Sequence, residues 1–235
     1  MKLALVGSGE YLPPIDPLDR FLFSLLDDSP MVSCLPTAAG SEGPARIAYW
    51  TDLAVQHFSR LGVPVESLPV IDRTSANDKE MAERIQASNF IYLSGGKPDY
   101  LFQALNKSLV WQAIMSVLER GGLLAGCSAG AMILGERIPA FPTWRKTFNL
   151  LNGVIIVPHF DEIPSSFLKV MSIMVGRGST LVGIDGFTAL VRIGEEFTVA
   201  GQGSVTVWNR DSRSCYFQNQ AVTLPSVGPA QYPSS

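Results

Sequence analysis

Short apolar runs alternate with amphipathic stretches along the first half of the chain. The apolar runs end in turn residues and predict buried strands at Leu3 to Val6, Met31 to Leu35, Val63 to Leu68, Phe90 to Leu93 and Gly122 to Ala125. Helical spacing predicts helices within 43–61 and 78–87, and a short helix followed by a longer one within 99–120. This alternation is typical of a mostly parallel sheet flanked by helices on both faces, so we predict an α/β fold.

The second half of the chain carries shorter apolar runs. These predict strands at Gly153 to Val157, Thr180 to Ile184, Ala189 to Ile193, Thr198 to Gly201 and Val205 to Trp208. The last three are joined by tight polar or glycine-containing connections, which favour an antiparallel C-terminal extension of the sheet. We expect residues 1–221 to form one domain and residues 222–235, with three Pro and three Ser, to form a loosely held tail.

Composition narrows the range of partners and compartments. The chain of 235 residues is 46% hydrophobic and 17% charged, with a net charge of -3. That balance provides no basic surface for nucleic acid or for an anionic membrane.

No apolar run approaches the roughly 18 residues of a spanning helix, and the first apolar run of the chain continues into Gly-Ser-Gly-Glu, which is unlike a signal peptide. Three distant cysteines, without a Cys/His cluster for a metal, predict reduced thiols in a cytoplasmic protein.

Residues 126–130 contain the candidate nucleophile. Their sequence, Gly-Cys-Ser-Ala-Gly, follows an apolar strand and precedes the helix-like run AMIL. A G-x-S-x-G motif in this strand-turn-helix context is typical of a nucleophile elbow, in which the central residue is held in a strained backbone conformation. Ser128 is the central residue, whereas Cys127 is expected to point away from the site and pack under the sheet.

A serine nucleophile needs a base and donors for the oxyanion. Of the two histidines, His57 lies in an amphipathic stretch and is interpreted as a packing or helix-surface residue, while His159 follows a strand and is the candidate base. The N–H of Ala129 is one candidate oxyanion donor. The loop SGGKPDYLF offers a second, because Gly95 and Gly96 allow backbone to approach a reacting carbonyl.

Four motifs in order carry a resemblance to a known family: the elbow GCSAGA, the loop YLSGG, the later PHFD and the late LVGIDGFTALV. Together they resemble the serine-peptidase family of dipeptidase E and cyanophycinase, whose flavodoxin-like fold is related to the class I glutamine amidotransferases. The resemblance extends from the first strand to about Trp208. It implies Ser128 as nucleophile, His159 as base, an oxyanion hole from Gly96 and Ala129, and aspartyl peptides as substrates. It also implies a homodimer, and no metal or organic cofactor is required.

The chain departs from this family at the residue that orients the histidine. Cyanophycinase-like relatives carry an acidic residue where this chain has Gly186. We predict that Asp161 supplies the acid, because glutamine amidotransferases place their acid two residues after the histidine. Asp185 and Glu162 are the alternatives.

Three residues near the predicted site are candidates for substrate binding: Glu10, Gly95 and Lys97. Glu10 lies in the loop after the first strand and is interpreted either as a partner for a substrate amine or guanidinium, or as an ordinary loop acid. Lys97 stands where relatives often carry Asn or Gln, so it changes the charge beside the acyl group.

Three functional hypotheses follow from the sequence. The leading one is a serine hydrolase that cleaves small peptide or isopeptide bonds, with aspartyl-containing substrates, through an acyl-enzyme on Ser128. The alternative is a catalytically impaired ligand-binding or regulatory protein of the same fold, which Gly186 favours and the Ser128–His159 pair opposes. A third is an amidotransferase that uses Cys127, but that enzyme type places Cys at the centre of the elbow, where this chain has Ser.

Overall fold

The computed structural model describes residues 1–140, 142–164, 179–210 and 212–224. Its strands are β1 (Lys2–Val6), β2 (Val32–Leu35), β3 (Val65–Ser67), β4 (Phe90–Leu93), β5 (Leu123–Cys127), β6 (Arg137–Ala140), β7 (Thr143–Lys146), β8 (Val154–Val157), β9 (Thr180–Ile184), β10 (Thr188–Ile193), β11 (Glu196–Gly201), β12 (Ser204–Trp208) and β13 (Arg213–Phe217). Its α-helices are α1 (Asp16–Ser24), α2 (Pro44–Arg60), α3 (Lys79–Gln86), α4 (Pro98–Leu105), α5 (Leu109–Glu119) and α6 (Ala129–Met132). Short 3₁₀ turns occur at Pro13–Ile15, Thr37–Glu42, Ser75–Asn77 and Phe160–Glu162.

The main sheet has the strand order β11-β10-β1-β5-β4-β2-β3. The run from β1 to β3 is parallel, and β10 and β11 are added antiparallel beside β1. The predicted α/β fold with a mostly parallel sheet is confirmed. Because the carboxyl ends of parallel strands lie at one edge of the sheet, the loops after β1, β2, β4 and β5 meet there.

Side chains of the central strands alternate between two cores. On β1, Leu3 and Leu5 pack into the core beneath α3, α4, α5 and α6, whereas Ala4 and Val6 pack into the core beneath α1 and α2. All four side chains are fully buried, so the sheet is covered on both faces. Within the described ranges no helix has both the length and the apolar character needed to cross a membrane.

The antiparallel extension differs from the prediction, because it is divided between two sheets. Strands β10 and β11 extend the main sheet, while β12 pairs with β9 and β13 in a second sheet of order β13-β12-β9-β8, in which β8 and β9 are parallel. The carboxylate of Asp185 accepts hydrogen bonds from the N–H and the hydroxyl of Ser204, at 2.8 and 2.7 Å. These bonds anchor the start of β12 beside the end of β9 and direct the chain into the second sheet.

The sequence patterns missed three elements: α1, the β6–β7 hairpin and β13. Helix α1 has Pro17 in its first turn, where a missing N–H costs no hydrogen bond, and it buries Leu18 and Leu22. Proline within the segment around β6 and β7 argues against a central strand, yet it is tolerated in this two-stranded hairpin, where Pro139 pairs with Trp144.

The described start of the predicted C-terminal tail packs against β11. Val222 is buried, and its N–H donates to the carbonyl of Phe197 at 2.8 Å. The remainder of the predicted tail, from residue 225 onward, lies outside the described residues.

Candidate active site

Ser128 lies at the sharp turn between β5 and α6. Its backbone angles, φ 50° and ψ -110°, belong to a region that residues with side chains rarely adopt. Its N–H donates to the carbonyl of Val6 at 3.0 Å, which ties the turn to the end of β1. This is the conformation of a nucleophile elbow, and it places the hydroxyl at the carboxyl edge of the sheet.

Close packing explains the two glycines of the motif. A Cβ at Gly126 would lie 2.5 Å from the backbone of Gly130, and a Cβ at Gly130 would lie 2.4 Å from the carbonyl oxygen of Leu93. Larger residues at either position would push α6 away from β5 or β4. The Gly-x-Ser-x-Gly spacing is therefore a packing requirement of the turn that holds Ser128.

His159 lies beside the nucleophile. Its Nε2 is 3.2 Å from the hydroxyl oxygen of Ser128, and its side chain is 41% exposed. The residue directly precedes the 3₁₀ turn Phe160–Glu162 and adopts a left-handed conformation, with φ 51°. Phe160 is buried and fits against Gly183, where a Cβ would come within 2.3 Å of its ring. That contact holds the 3₁₀ turn in place, and the turn positions the imidazole of His159.

The acid beside His159 is Glu162 instead of the predicted Asp161. Nδ1 of His159 is 3.5 Å from Oε1 of Glu162, whose side chain is 67% exposed. Asp161 forms no ion pair with His159, and its Oδ1 accepts a hydrogen bond from the backbone N–H of Gly186 at 2.8 Å. The physical reason is the 3₁₀ turn: with three residues per turn, positions i and i+3 lie on the same side and position i+2 does not. Asp185 is engaged with Ser204, as described above.

The space beside Gly186 is bounded by polar atoms. A Cβ at Gly186 would lie 3.0 Å from the hydroxyl oxygen of Ser8 and 3.5 Å from Oδ2 of Asp161. A side chain at this position would therefore begin directly against the carboxylate of Asp161.

Two backbone amides flank the nucleophile as candidate oxyanion donors. Ala129 is the first residue of α6, so its N–H has no acceptor within the helix. Gly96 is exposed and has φ 143°, and a Cβ there would lie 2.7 Å from the backbone of Ala38. Only glycine allows the loop to approach Ala38 this closely. The loop adjoins Ser128, because a Cβ on Gly95 would lie 3.3 Å from the Cβ of Ser128.

Glu10 and Gly95, two of the predicted substrate-binding residues, contact each other. Glu10 is only 7% exposed, and its Oε1 accepts the N–H of Gly95 at 2.8 Å. Its Oε2 accepts the thiol of Cys127 at 2.9 Å. The sequence left open a partner for a substrate amine or guanidinium and an ordinary loop acid. Glu10 is instead buried, because the next residue, Tyr11, lies in the core and draws the loop inward.

Cys127 lies under the sheet, as its position in the motif predicted. It is fully buried, and burial together with the neighbouring charge of Glu10 raises the pKa of its thiol well above the ordinary value. The nucleophilic form of cysteine is the thiolate, so a buried thiol that donates a hydrogen bond to a carboxylate is not activated for attack. This geometry opposes the amidotransferase hypothesis.

Lys97 follows the Gly95–Gly96 pair and is exposed. Its N–H donates to the carbonyl of Ala38 at 2.9 Å, and its Nζ lies 3.2 Å from the hydroxyl of Ser41. No carboxylate of the described residues forms an ion pair with it. The loop beside the nucleophile thus carries a cation available to an anionic group.

His57 has a structural role, which agrees with its interpretation as a packing residue. Its Nε2 lies 2.7 Å from Oδ2 of Asp19, and both side chains are 0% exposed. Burial raises the pKa of Asp19, and the contact with His57 opposes that rise.

In the part of the chain that the structure describes, no three His, Cys, Asp or Glu side chains form a group suited to a metal ion.

Comparison with known proteins identifies the family. The model of peptidase family S51 matches residues 3–200. The chain belongs to peptidase family S51. This S51 chain is 32% identical over 179 residues to cyanophycinase from Synechococcus elongatus, an alignment that covers 70% of this chain and 55% of the relative. It is 26% identical over 200 residues to an uncharacterized peptidase from Pasteurella multocida, covering 79% of this chain and 93% of the relative.

Two solved structures are similar to this chain. A peptidase from an acI-B1 Actinobacterium superposes with a TM-score of 0.86 at 34% identity, over 95% of this chain and 96% of the other. A putative peptidase E protein from Listeria monocytogenes superposes with a TM-score of 0.64 at 21% identity, over 86% and 98% of the two chains. The second comparison shows a shared fold. The family expected from the four sequence motifs is therefore confirmed.

Proposed function

We propose that this chain is a serine peptidase that hydrolyses small aspartyl-containing peptide or isopeptide bonds through an acyl-enzyme on Ser128. The observation that carries the proposal is the distance of 3.2 Å between the Ser128 hydroxyl and Nε2 of His159, at a strained elbow. That distance falls at the edge of the range expected for a nucleophile and its general base before substrate binds. Membership of a peptidase family supports the same reaction class.

Each step of the proposed reaction can be assigned to a residue of this site. Ser128 attacks the scissile carbonyl while His159 takes the hydroxyl proton, and the amides of Gly96 and Ala129 bind the developing oxyanion. His159 then returns the proton to the leaving amine, and water releases the acyl group by the reverse sequence. An oxyanion donor of this kind accelerates the reaction by about 10²- to 10³-fold. Glu162 orients the imidazole through Nδ1.

The acyl side of the substrate is proposed to carry a carboxylate. Lys97 provides an exposed cation one residue after the oxyanion donor Gly96, and its Nζ contacts only the neutral hydroxyl of Ser41 among the described groups. An aspartyl side chain would supply the missing anion.

A ligand-binding or regulatory protein with impaired catalysis is the second candidate. The observation that favours it is the acid: Glu162 lies 3.5 Å from His159 and is 67% exposed, so water competes for the contact. Binding of an aspartyl ligand without turnover would then be the function of the same crevice.

We also propose that the protein works in the cytoplasm as a homodimer and without a cofactor. The free thiols of Cys34, Cys127 and Cys215 support a reducing compartment. The dimer is inferred from the family resemblance, and light scattering of the purified protein measures it directly.

Peptide hydrolysis tests the proposed function. The panel contains α-aspartyl dipeptides, a β-aspartyl-arginine isopeptide and matched alanyl dipeptides, and the proteins are wild type, Ser128→Ala, His159→Ala and the control Ser116→Ala on α5. We expect wild type and Ser116→Ala to cleave aspartyl substrates, and Ser128→Ala to lose at least about 10³-fold in rate. Hydrolysis by Ser128→Ala at the wild-type rate contradicts the proposal. Binding without hydrolysis by folded wild type supports the second candidate.

A further inference from the structure

We infer that Glu10 is a positioning residue, whose buried carboxylate holds the two oxyanion-donor loops in register around Ser128. This inference rests on the proposed serine-peptidase chemistry. It concerns a side chain that the reaction scheme above does not use.

The carboxylate joins three segments of the site. Glu10 itself lies in the loop after β1, its Oε1 accepts the N–H of Gly95 in the loop after β4, and its Oε2 accepts the thiol of Cys127 at the end of β5. Gly95 directly precedes one oxyanion donor, and Cys127 directly precedes the nucleophile. One side chain therefore sets the separation between the loop that carries Gly96 and the elbow that carries Ser128.

Packing shows how tightly the loop rests on this carboxylate. A Cβ on Gly95 would lie 2.7 Å from Oε1 of Glu10, so the contact requires glycine at position 95. On the following side of the loop, the N–H of Lys97 donates to the carbonyl of Ala38 at 2.9 Å. The N–H of Gly96 lies between these two anchored amides. Release of the Gly95 anchor would leave the Gly96 amide free to rotate away from the oxyanion.

The charge of Glu10 is unusual for its surroundings. The side chain is 7% exposed, and no described cation forms an ion pair with it; its partners are an amide N–H and a thiol. A buried carboxylate without a cation is costly, so a purely structural role would be filled more readily by a neutral side chain. Carboxylate oxygens, however, accept stronger hydrogen bonds than amide oxygens and can hold two donors at once.

The fluorophosphonate reaction tests the inference without a known substrate. The probe is a fluorophosphonate at several concentrations, and the measured quantities are the maximal rate of Ser128 labelling and the half-saturating concentration. In Glu10→Ala we expect the maximal rate to fall about 10- to 100-fold, as expected for a displaced oxyanion donor, with the half-saturating concentration within about threefold of wild type. Glu10→Gln keeps an acceptor for Gly95 but loses the acceptor of the Cys127 thiol, so its rate should lie between those of Glu10→Ala and wild type.

Two further variants separate positioning from general stability. Cys34→Ala removes a buried thiol from β2, outside the site, and should lower the melting temperature without slowing the labelling. Glu10→Asp keeps the carboxylate but shortens the side chain by one methylene, so it cannot hold Gly95 and Cys127 at once and should slow labelling as Glu10→Ala does. It provides the test if Glu10→Ala does not fold.

The outcomes distinguish this inference from the proposed function. Absence of labelling in folded wild type overturns the serine-peptidase proposal. Labelling of wild type and Glu10→Ala at equal maximal rates overturns the role of Glu10 alone. A change in the half-saturating concentration without a change in the maximal rate would make Glu10 a ligand-contacting residue, which also overturns the inference.

Discussion

Asp161 accepts a hydrogen bond of 2.8 Å from the backbone N–H of Gly186, and its carboxylate forms no ion pair with His159. The absence of an acidic side chain at position 186 and the contact of Asp161 with that position therefore belong to one local arrangement. The missing side chain at position 186 leaves space beside Ser8, and Asp161 lies against that space. Glu162 is left as the carboxylate beside Nδ1 of His159.

Glu162 and Asp161 should differ in their effect on catalysis. We expect Glu162→Gln to lower the fluorophosphonate labelling rate about 10-fold. This loss is far below the ten-thousand-fold that a buried triad acid contributes in a well-studied serine protease, because Glu162 is exposed and 3.5 Å away. Asp161→Asn retains an acceptor for Gly186 and should label at nearly the wild-type rate. The reverse order of the two effects would return the acid role to Asp161.

Restoring an acid at position 186 should not improve the enzyme. In Gly186→Glu, the new Cβ would lie 3.0 Å from Ser8 Oγ and 3.5 Å from Asp161 Oδ2, so two carboxylates would share one pocket. We expect a lower melting temperature and a labelling rate no higher than wild type. The double variant Gly186→Glu with Asp161→Asn removes the repulsion and should recover stability. Faster labelling of Gly186→Glu than of wild type would contradict this prediction.

The sequence predicted the proximity of Ser128 and His159 better than the positions of the residues around them. Ser128 and His159 each follow an apolar strand, and strand order in an α/β fold brings such positions to one edge of the sheet. Which acid lies beside His159 is determined by the 3₁₀ turn Phe160–Glu162, and a turn of three residues is too short to give a periodic pattern in the sequence. The role of Glu10 depends on burial of a loop, and short polar segments such as GSGE do not reveal whether they face solvent.

Lys97 should determine the preference for an acidic acyl group. In Lys97→Ala, we expect KM for an aspartyl dipeptide to rise about fivefold with kcat little changed, because an exposed ion pair contributes up to about 1 kcal/mol. KM for the matched alanyl dipeptide should stay constant, and Lys79→Ala on α3 is a control for the loss of a lysine elsewhere. Equal effects of Lys97→Ala on both peptides would exclude recognition of a carboxylate.

Two buried thiols should weaken the protein at alkaline pH. Burial raises the pKa of Cys34 and of Cys127 above the ordinary value of 9.0. Above that pH the unfolded chain loses these protons while the folded chain keeps them, so stability falls as pH rises, by up to about 1.4 kcal/mol per pH unit for each thiol. Thermal melts of wild type and Cys34→Ala between pH 8 and 10 measure this effect. The variant should show the shallower decline, and identical slopes would contradict the assignment.

Intact-mass spectrometry after incubation with a fluorophosphonate tests the identity of the nucleophile most directly. The proteins are wild type, Ser128→Ala and Cys127→Ala, each confirmed as folded by its melting curve. We predict a single adduct on wild type and on Cys127→Ala, and none on Ser128→Ala. An adduct on Ser128→Ala, or none on folded wild type, would contradict a serine peptidase that acts through Ser128.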